Sequence, residues 1–264
     1  MASEAAVHNV DQRTRHVRFE HPALGGPSVV CEQHGSDSGG FVSGTSSVIW
    51  PVALLLSRHL CENPELVRGK KCIELGAGIG IVGMVAAALG AECVIVTDLP
   101  EAQPLLERNA ALARARSAAV CSVSAASLPW GDGASIDAVG RGEFDVVLAA
   151  DVLIGGWAHT HGALAETMRA LLRLGEESRV LVGYEYREEW ETVGDFQDRV
   201  EAIGLSLASE QLDEGPDLDD DFFLYTLKHA RPSGGGEAPP DATAEAGGDD
   251  SEEEPAAYTF SGGV

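Results

Sequence analysis

The chain is expected to fold as an α/β protein built on a doubly wound sheet. Three observations predict this. Between Lys71 and Gly83 a short apolar run meets a cluster of glycines and then a small-residue helical pattern, which reads as strand, tight turn, helix. Strand-like and helix-like stretches alternate from there to about residue 184, and a last helix and strand pair follow. Phe144–Ala150 is a continuous apolar run after Asp145, as a strand buried on both faces should be.

The 264 residues suit one large domain, or one domain with tails, and 44% apolar residues are ample for a core. A formal charge of −24 argues against nucleic acid as a direct partner, because phosphates would be repelled. It is compatible with a basic or lysine-bearing protein partner. The five cysteines, Cys31, Cys61, Cys72, Cys93 and Cys121, are scattered and form no CxxC pair. They read as reduced thiols, with neither a disulfide framework nor a metal site. The polar N-terminus has no signal-peptide core, and no eighteen-residue apolar run suggests a membrane span. A cytoplasmic protein is expected, and a nuclear pool is compatible with this.

Taken in order, residues 1–15 read as disordered. His16–Glu20 and Ser28–Gln33 alternate and are separated by a turn-rich stretch, which suggests a hairpin. His34–Gly44 reads as a glycine and serine loop. Pro51 suits a first helical turn, and the apolar residues to Leu60 suit a buried helix with Trp50 at its entrance. Strands are expected at Lys71–Leu75, Cys93–Thr97, Ala119–Val123, Phe144–Ala150, Arg179–Tyr184, Leu205–Ser209 and Phe222–Lys228. Helices are expected at Ile81–Leu89, Glu101–Arg114, Leu164–Leu174 and Trp190–Ile203. An acidic loop, Asp213–Asp221, precedes the last strand. From Arg231 onward the chain is glycine, proline, alanine and acid, eight carboxylates against one arginine, and reads as a solvated tail. The expected division is therefore 1–15, a folded domain 16–230, and a tail 231–264.

The chemistry gathers at the ends of the first, second and fourth of the seven strands. Gly76, Gly78 and Gly80 can take backbone angles closed to other residues and let a ligand approach the main chain. The helix that follows aims free N–H groups into the turn. Gly78, Gly80 and Gly83 satisfy G-x-G-x-x-G, a dinucleotide pattern that would suggest an NAD-type oxidoreductase. Glu74 with Gly76, Gly78 and Gly80 satisfies E-x-G-x-G-x-G, the loop that binds S-adenosylmethionine (AdoMet) in methyltransferases. The carboxylate favours the second pattern. It would repel a pyrophosphate but attract the ammonium and sulfonium of AdoMet. Asp98 follows a strand where nucleoside folds place an acid for the ribose diol. Trp130 lies after the third strand, beside the expected adenine pocket. Asp151 sits at the carboxyl end of the central strand, in the crevice where open sheets bind ligands.

These residues resemble the class I AdoMet-dependent methyltransferases, and more narrowly the family 16 protein methyltransferases, the methyltransferase-like 21 and protein-lysine methyltransferase group. The likeness spans about residues 16–230. It rests on the hairpin, the approach from Gly44 to Pro51, Glu-Leu-Gly-Ala-Gly-Ile-Gly, Thr-Asp-Leu-Pro, Asn109, Leu-Pro-Trp-Gly, Ala-Ala-Asp-Val, Tyr-Glu-Tyr-Arg and a closing Phe-Phe-Leu-Tyr-Thr-Leu-Lys. The resemblance implies a Rossmann-like seven-stranded sheet with its seventh strand antiparallel. It implies AdoMet around Gly76, Ala77 and Gly78, with Asp98 and Leu99 at the ribose, Trp130 on adenine, and Trp50 and Ala150 bordering the cofactor. It places Asp151 toward the methyl donor and the acceptor amine, and Tyr184, Glu185 and Arg187 near the substrate mouth. It implies a monomer that methylates a lysine of a non-histone protein without a metal. One departure stands out. The fourth residue of the family's D-x-x-Y motif should be aromatic and is Ile154. A different acceptor (histidine, arginine or a small molecule) and a non-catalytic AdoMet-binding module therefore stay open beside the lysine reading.

Overall fold

Two short parallel strands, each buried at four of its five residues, form the centre of the protein. In the computed structural model, which describes residues 11–34, 45–116, 122–186, 190–212 and 222–230, β3 (Lys71–Leu75) pairs with β6 (Val146–Ala150). Both are apolar along nearly their whole length, because helices cover both faces of the sheet. The N-terminal strands β1 (His16–Phe19) and β2 (Val29–Glu32) form a separate antiparallel hairpin. The main sheet is completed by β4 (Cys93–Asp98), β5 (Ser122–Ser127), β7 (Arg179–Glu185), β8 (Leu205–Gln211) and β9 (Phe222–His229). Its order is β5-β4-β3-β6-β7-β9-β8, and β9 runs antiparallel to both neighbours. The seven-stranded, Rossmann-like arrangement with an antiparallel seventh strand and an N-terminal hairpin is thus present. The order reverses between β3 and β6, which opens a crevice at their carboxyl ends.

Helices α1 (Pro51–Glu62), α2 (Ile81–Ala88) and α3 (Gln103–Arg116) pack on one face. The other face carries α4 (Gly133–Val139), α5 (His161–Leu171) and α6 (Trp190–Ala202). Close contact of α2 with the sheet depends on Gly83, where an added Cβ would lie 2.5 Å from Val96 Cγ1. Pro51 opens α1 as expected.

Three sequence expectations shift. The third strand of the main sheet, expected at Ala119–Val123, is described over Ser122–Ser127 as β5 and so runs on past Val123, while residues 119–121 lie outside the described residues; it is an edge strand whose partner among the described residues is β4, so its hydrogen bonds and not an apolar run carry it to Ser127. Helix α5 begins at His161 and ends at Leu171, leaving Leu174 exposed. Helix α4 has no counterpart in the sequence reading. It buries only Ile136, so it has no apolar period, and is held by its ends: Asp132 caps it by accepting from Ser135 N, and Gly140 closes it at φ 116.

Residues 11–15 also form a turn rather than a disordered lead-in. The amide nitrogen of Gln33 donates to the carbonyls of Asp11 and Thr14, at 2.9 and 2.8 Å. The expected loop 35–44, the acidic loop 213–221, the tail 231–264 and Arg187 lie outside the described residues.

Candidate active site

A cavity of about 560 Å³ lies at the carboxyl ends of β3, β4 and β6. Trp50, Glu74, Gly76, Ala77, Gly78, Asp98, Leu99, Trp130, Ala150 and Asp151, ten of the twelve candidate residues, line it. All but Trp50, which precedes α1, converge because they lie in or follow the carboxyl end of a strand that reaches the crevice.

The floor is the glycine bend. Gly76 N–H and Cα pass so close to the opposite wall that a Cβ there would lie 2.9 Å from Val152 Cγ1 and 3.2 Å from the Trp130 ring. Gly78 has φ 55, and a Cβ on it would press on the Ser46 carbonyl at 3.3 Å. The backbone is therefore bare on the side facing the cavity, and side chains at these positions would fill it.

Three carboxyl groups face this space, and among the described residues no lysine or arginine lines it. Asp98 is 6% exposed. One of its oxygens accepts from Gly78 N at 2.8 Å, the other from Leu99 N at 2.7 Å and Ser46 Oγ at 3.3 Å. Burial raises its pKa; the N–H groups of Gly78 and Leu99 and the Ser46 hydroxyl pull it back down. The long bond to Ser46 is the one a ligand hydroxyl could replace.

Glu74 is 2% exposed, and Oε2 accepts from Gly83 N at 2.8 Å. Gly83 lies in the first turn of α2, whose preceding residue, Gly80, offers no side-chain cap. Glu74 thus stands in for the missing cap as well as facing the cavity, a role hidden in sequence because it joins a strand to the next helix. Burial pushes its pKa up to about 8, against the Gly83 N–H and with the Asp98 charge.

Asp151 has φ 57 and is the one non-glycine residue with a left-handed backbone among those described. Such a conformation costs about 1–3 kcal/mol and persists only where neighbours impose it. Here Asp151 N donates to Gly183 O of β7 at 2.9 Å while the next residues turn away into the cavity wall.

The apolar side of the cavity comes from Leu128, Trp130 and Leu99, the last 52% exposed. Leu128 N donates to Asp98 O at 2.9 Å, which brings the Leu-Pro-Trp segment over the end of β4. On the opposite side Trp50 Nε1 donates to Thr45 O at 2.9 Å. Ile154, His159 and Thr160 complete the wall from a 3-10 stretch, Gly155–Thr160. Sequence reasoning missed Ser46, His159 and Thr160, although Ser46 lies within the Gly44–Pro51 approach.

Tyr184 and Glu185 are not brought to the cavity. Tyr184 is 1% exposed and stacks on Tyr225, ring centroids 5.8 Å apart. Strand alternation explains this: on β7, the glycine at 183 faces α1, so the next side chain faces the opposite core. Among the described residues Tyr184 thus packs against Tyr225 and lies away from the cavity lining.

The donor set fits AdoMet. A cation would find three acids there, a diol would find Asp98, and a flat base would find the Trp130 and Leu128 side. A pyrophosphate would meet the same acids with no lysine or arginine among the described lining residues to offset them.

A family model described as lysine methyltransferase matches residues 37–201. Protein N-lysine methyltransferase METTL21A of Danio rerio is 36% identical over 132 residues, 49% of this chain and 54% of the relative. EEF1A lysine methyltransferase 3 of Xenopus tropicalis is 32% identical over 187 residues, 69% of this chain and 75% of the relative. The chain spans about half the length of the METTL21A proteins it matches. A solved methyltransferase structure from Pyrococcus furiosus shares the fold, with TM-score 0.50 and 19% identity over 67% of this chain and 83% of that one.

Proposed function

This chain belongs to the lysine methyltransferase family, and on that premise we propose that it transfers a methyl group from AdoMet to a lysine side chain of a partner protein. The single observation that carries the reading is the cavity itself: a bare glycine bend flanked by Glu74, Asp98 and Asp151, with no lysine or arginine among the described residues of its lining. When bound, AdoMet supplies an electrophilic methyl group on a sulfonium.

The chain's own residues bind, orient and exclude water. Asp98 would take the ribose hydroxyls, Trp130 and Leu128 the adenine, and Glu74 the charge of the methionine end. A lysine amine must lose its proton to act as a nucleophile, and free lysine titrates near pKa ~10.4. The apolar walls raise the cost of the ammonium and favour the neutral amine. Asp151, fixed by its backbone hydrogen bond to β7, would orient that amine toward the donor. Alignment and charge placement are the protein's contribution.

The experiment is methyl transfer from labelled AdoMet into a cell extract, with the modified site mapped by mass spectrometry. Label on a lysine supports the reading; no label with any extract overturns it. A second reading, transfer to histidine, arginine or a small molecule, draws on Ile154, which lines the cavity where the family motif has an aromatic. Site mapping separates the two. The proposal extends to a monomer acting in the cytoplasm; the buried cysteines Cys31 and Cys61, in no disulfide among the described residues, support the compartment. Sedimentation and imaging test those two points.

A further inference from the structure

The N-terminal hairpin contributes no residue to the lining of the cavity, yet three buried or half-buried amide side chains connect it to two of the cavity's walls. Asn109, on α3, is fully buried. Its Oδ1 accepts from Glu32 N at 2.7 Å, and its Nδ2 donates to Glu32 O and Ile79 O, both at 2.9 Å. Glu32 is the last residue of β2. Ile79 sits in the glycine bend, between the Gly78 N–H that reaches Asp98 and the Gly80 N–H that closes on Ala77 O at 2.7 Å. One side chain therefore saturates the end of the hairpin and anchors the bend from behind.

The second connection clasps the backbone of one residue, Ile49, at both its N–H and its carbonyl. Ile49 N donates to Gln33 Oε1 at 3.1 Å, and Gln12 Nε2 donates to Ile49 O at 2.8 Å. Beyond it, His34 N donates to Ser47 O at 2.8 Å. This segment, Thr45 to Trp50, carries Ser46 onto Asp98 and Trp50 onto the cavity rim. Strand β2 itself packs against α2 and α3, with Cys31 fully buried.

We propose that the hairpin is a positioning part of the AdoMet site: Asn109 sets the glycine bend, and Gln12 with Gln33 sets the wall that bears Ser46 and Trp50. The inference rests on the proposed function for the identity of the ligand, but not for the coupling of hairpin to bend. Each of these groups acts through backbone it holds, so none of them is a catalytic residue. Amide side chains suit the task because each can donate and accept at once. Leaving such groups buried and unpaired is costly, so the geometry is held firmly.

The test is calorimetric titration of the full chain with AdoMet, paired with amide hydrogen exchange of the ligand-free protein. Asn109→Leu should weaken AdoMet binding by about tenfold or more, and Gln12→Ala, a half-buried position that leaves folding intact, by about threefold. Asn109→Leu should also speed exchange at the Gly78 and Gly80 amides. Val200→Ala, a core cavity in α6, is the control: it should lower the melting temperature while affinity and bend exchange stay unchanged. A merely structural role for the hairpin predicts that Asn109→Leu and Gln12→Ala both behave like this control, and that result overturns the proposal. If Asn109→Leu does not fold, Gln12→Ala decides through the exchange of the Ser46–Trp50 amides and its affinity. If the wild type itself does not bind AdoMet, the cofactor assignment fails, while the exchange measurements still decide whether the hairpin holds the bend.

Discussion

Replacing the buried carboxyl of Glu74 by an amide should remove a pH dependence that the fold builds in. The Glu74 pKa stands at about 8, against an ordinary value of 4.5. Between these values the unfolded chain releases a proton that the native chain keeps. Its stabilising contribution is thus fully present below about pH 4.5 and is lost as pH rises toward 8. One proton corresponds to about 1.4 kcal/mol per pH unit. From pH 5.5 to 7.5 the wild type should lose about 2.5–3 kcal/mol through this group alone. Glu74→Gln keeps an acceptor for Gly83 N and has no proton to release, so it lacks this slope. Urea unfolding at half-unit pH steps gives the difference between the two proteins, in which other titrating groups cancel. The variant should draw level with, and then exceed, the wild type as pH rises, while its affinity for AdoMet should fall below the wild type's only as pH approaches 8, where the Glu74 carboxyl begins to ionise. Parallel stability curves across this range would refute the assignment of a high pKa to Glu74.

Asp98→Ala removes the acceptor of two backbone N–H groups and of the ribose hydroxyls, so AdoMet affinity should drop by about a hundredfold or more in calorimetry. Unchanged affinity would remove the ribose role. Asp151→Gly relieves a left-handed backbone at φ 57 and should keep stability within about 1 kcal/mol of wild type or raise it, while methyl transfer is lost. Denaturant midpoints and a transfer assay on one preparation check both halves. His161 is fully buried beside Phe196, and burial lowers its pKa. A lowered histidine pKa costs stability as pH falls below the ordinary imidazole range, so His161→Leu should gain on the wild type at pH 5.5 relative to pH 7.5. Equal urea midpoint differences at the two pH values would contradict this.

The extent to which this protein could be read from its residues follows the range of the interactions involved. Glycines after an apolar run, and acids after the next two strands to reach the crevice, are local patterns with a local cause, and they located Gly76, Gly78, Asp98 and Asp151 in the cavity. The run of edge strand β5 beyond Val123 and the whole of helix α4 were missed because neither buries an apolar stripe; one is fixed by pairing and the other by its caps. Tyr184 was assigned to the substrate mouth by its motif, but only the sheet decides which way a side chain on β7 points.

Residue order alone determined the alternation of strands and helices, the acidic character of the site and its place at the strand ends, since each depends on neighbours a few positions apart. Tertiary structure decided that Glu74 caps the following helix, that Asp151 is held in a strained backbone, and that Asn109 ties a distant hairpin to the bend. Those roles come from hydrogen bonds between groups far apart in the chain, whose distance and direction exist only once the layers have packed.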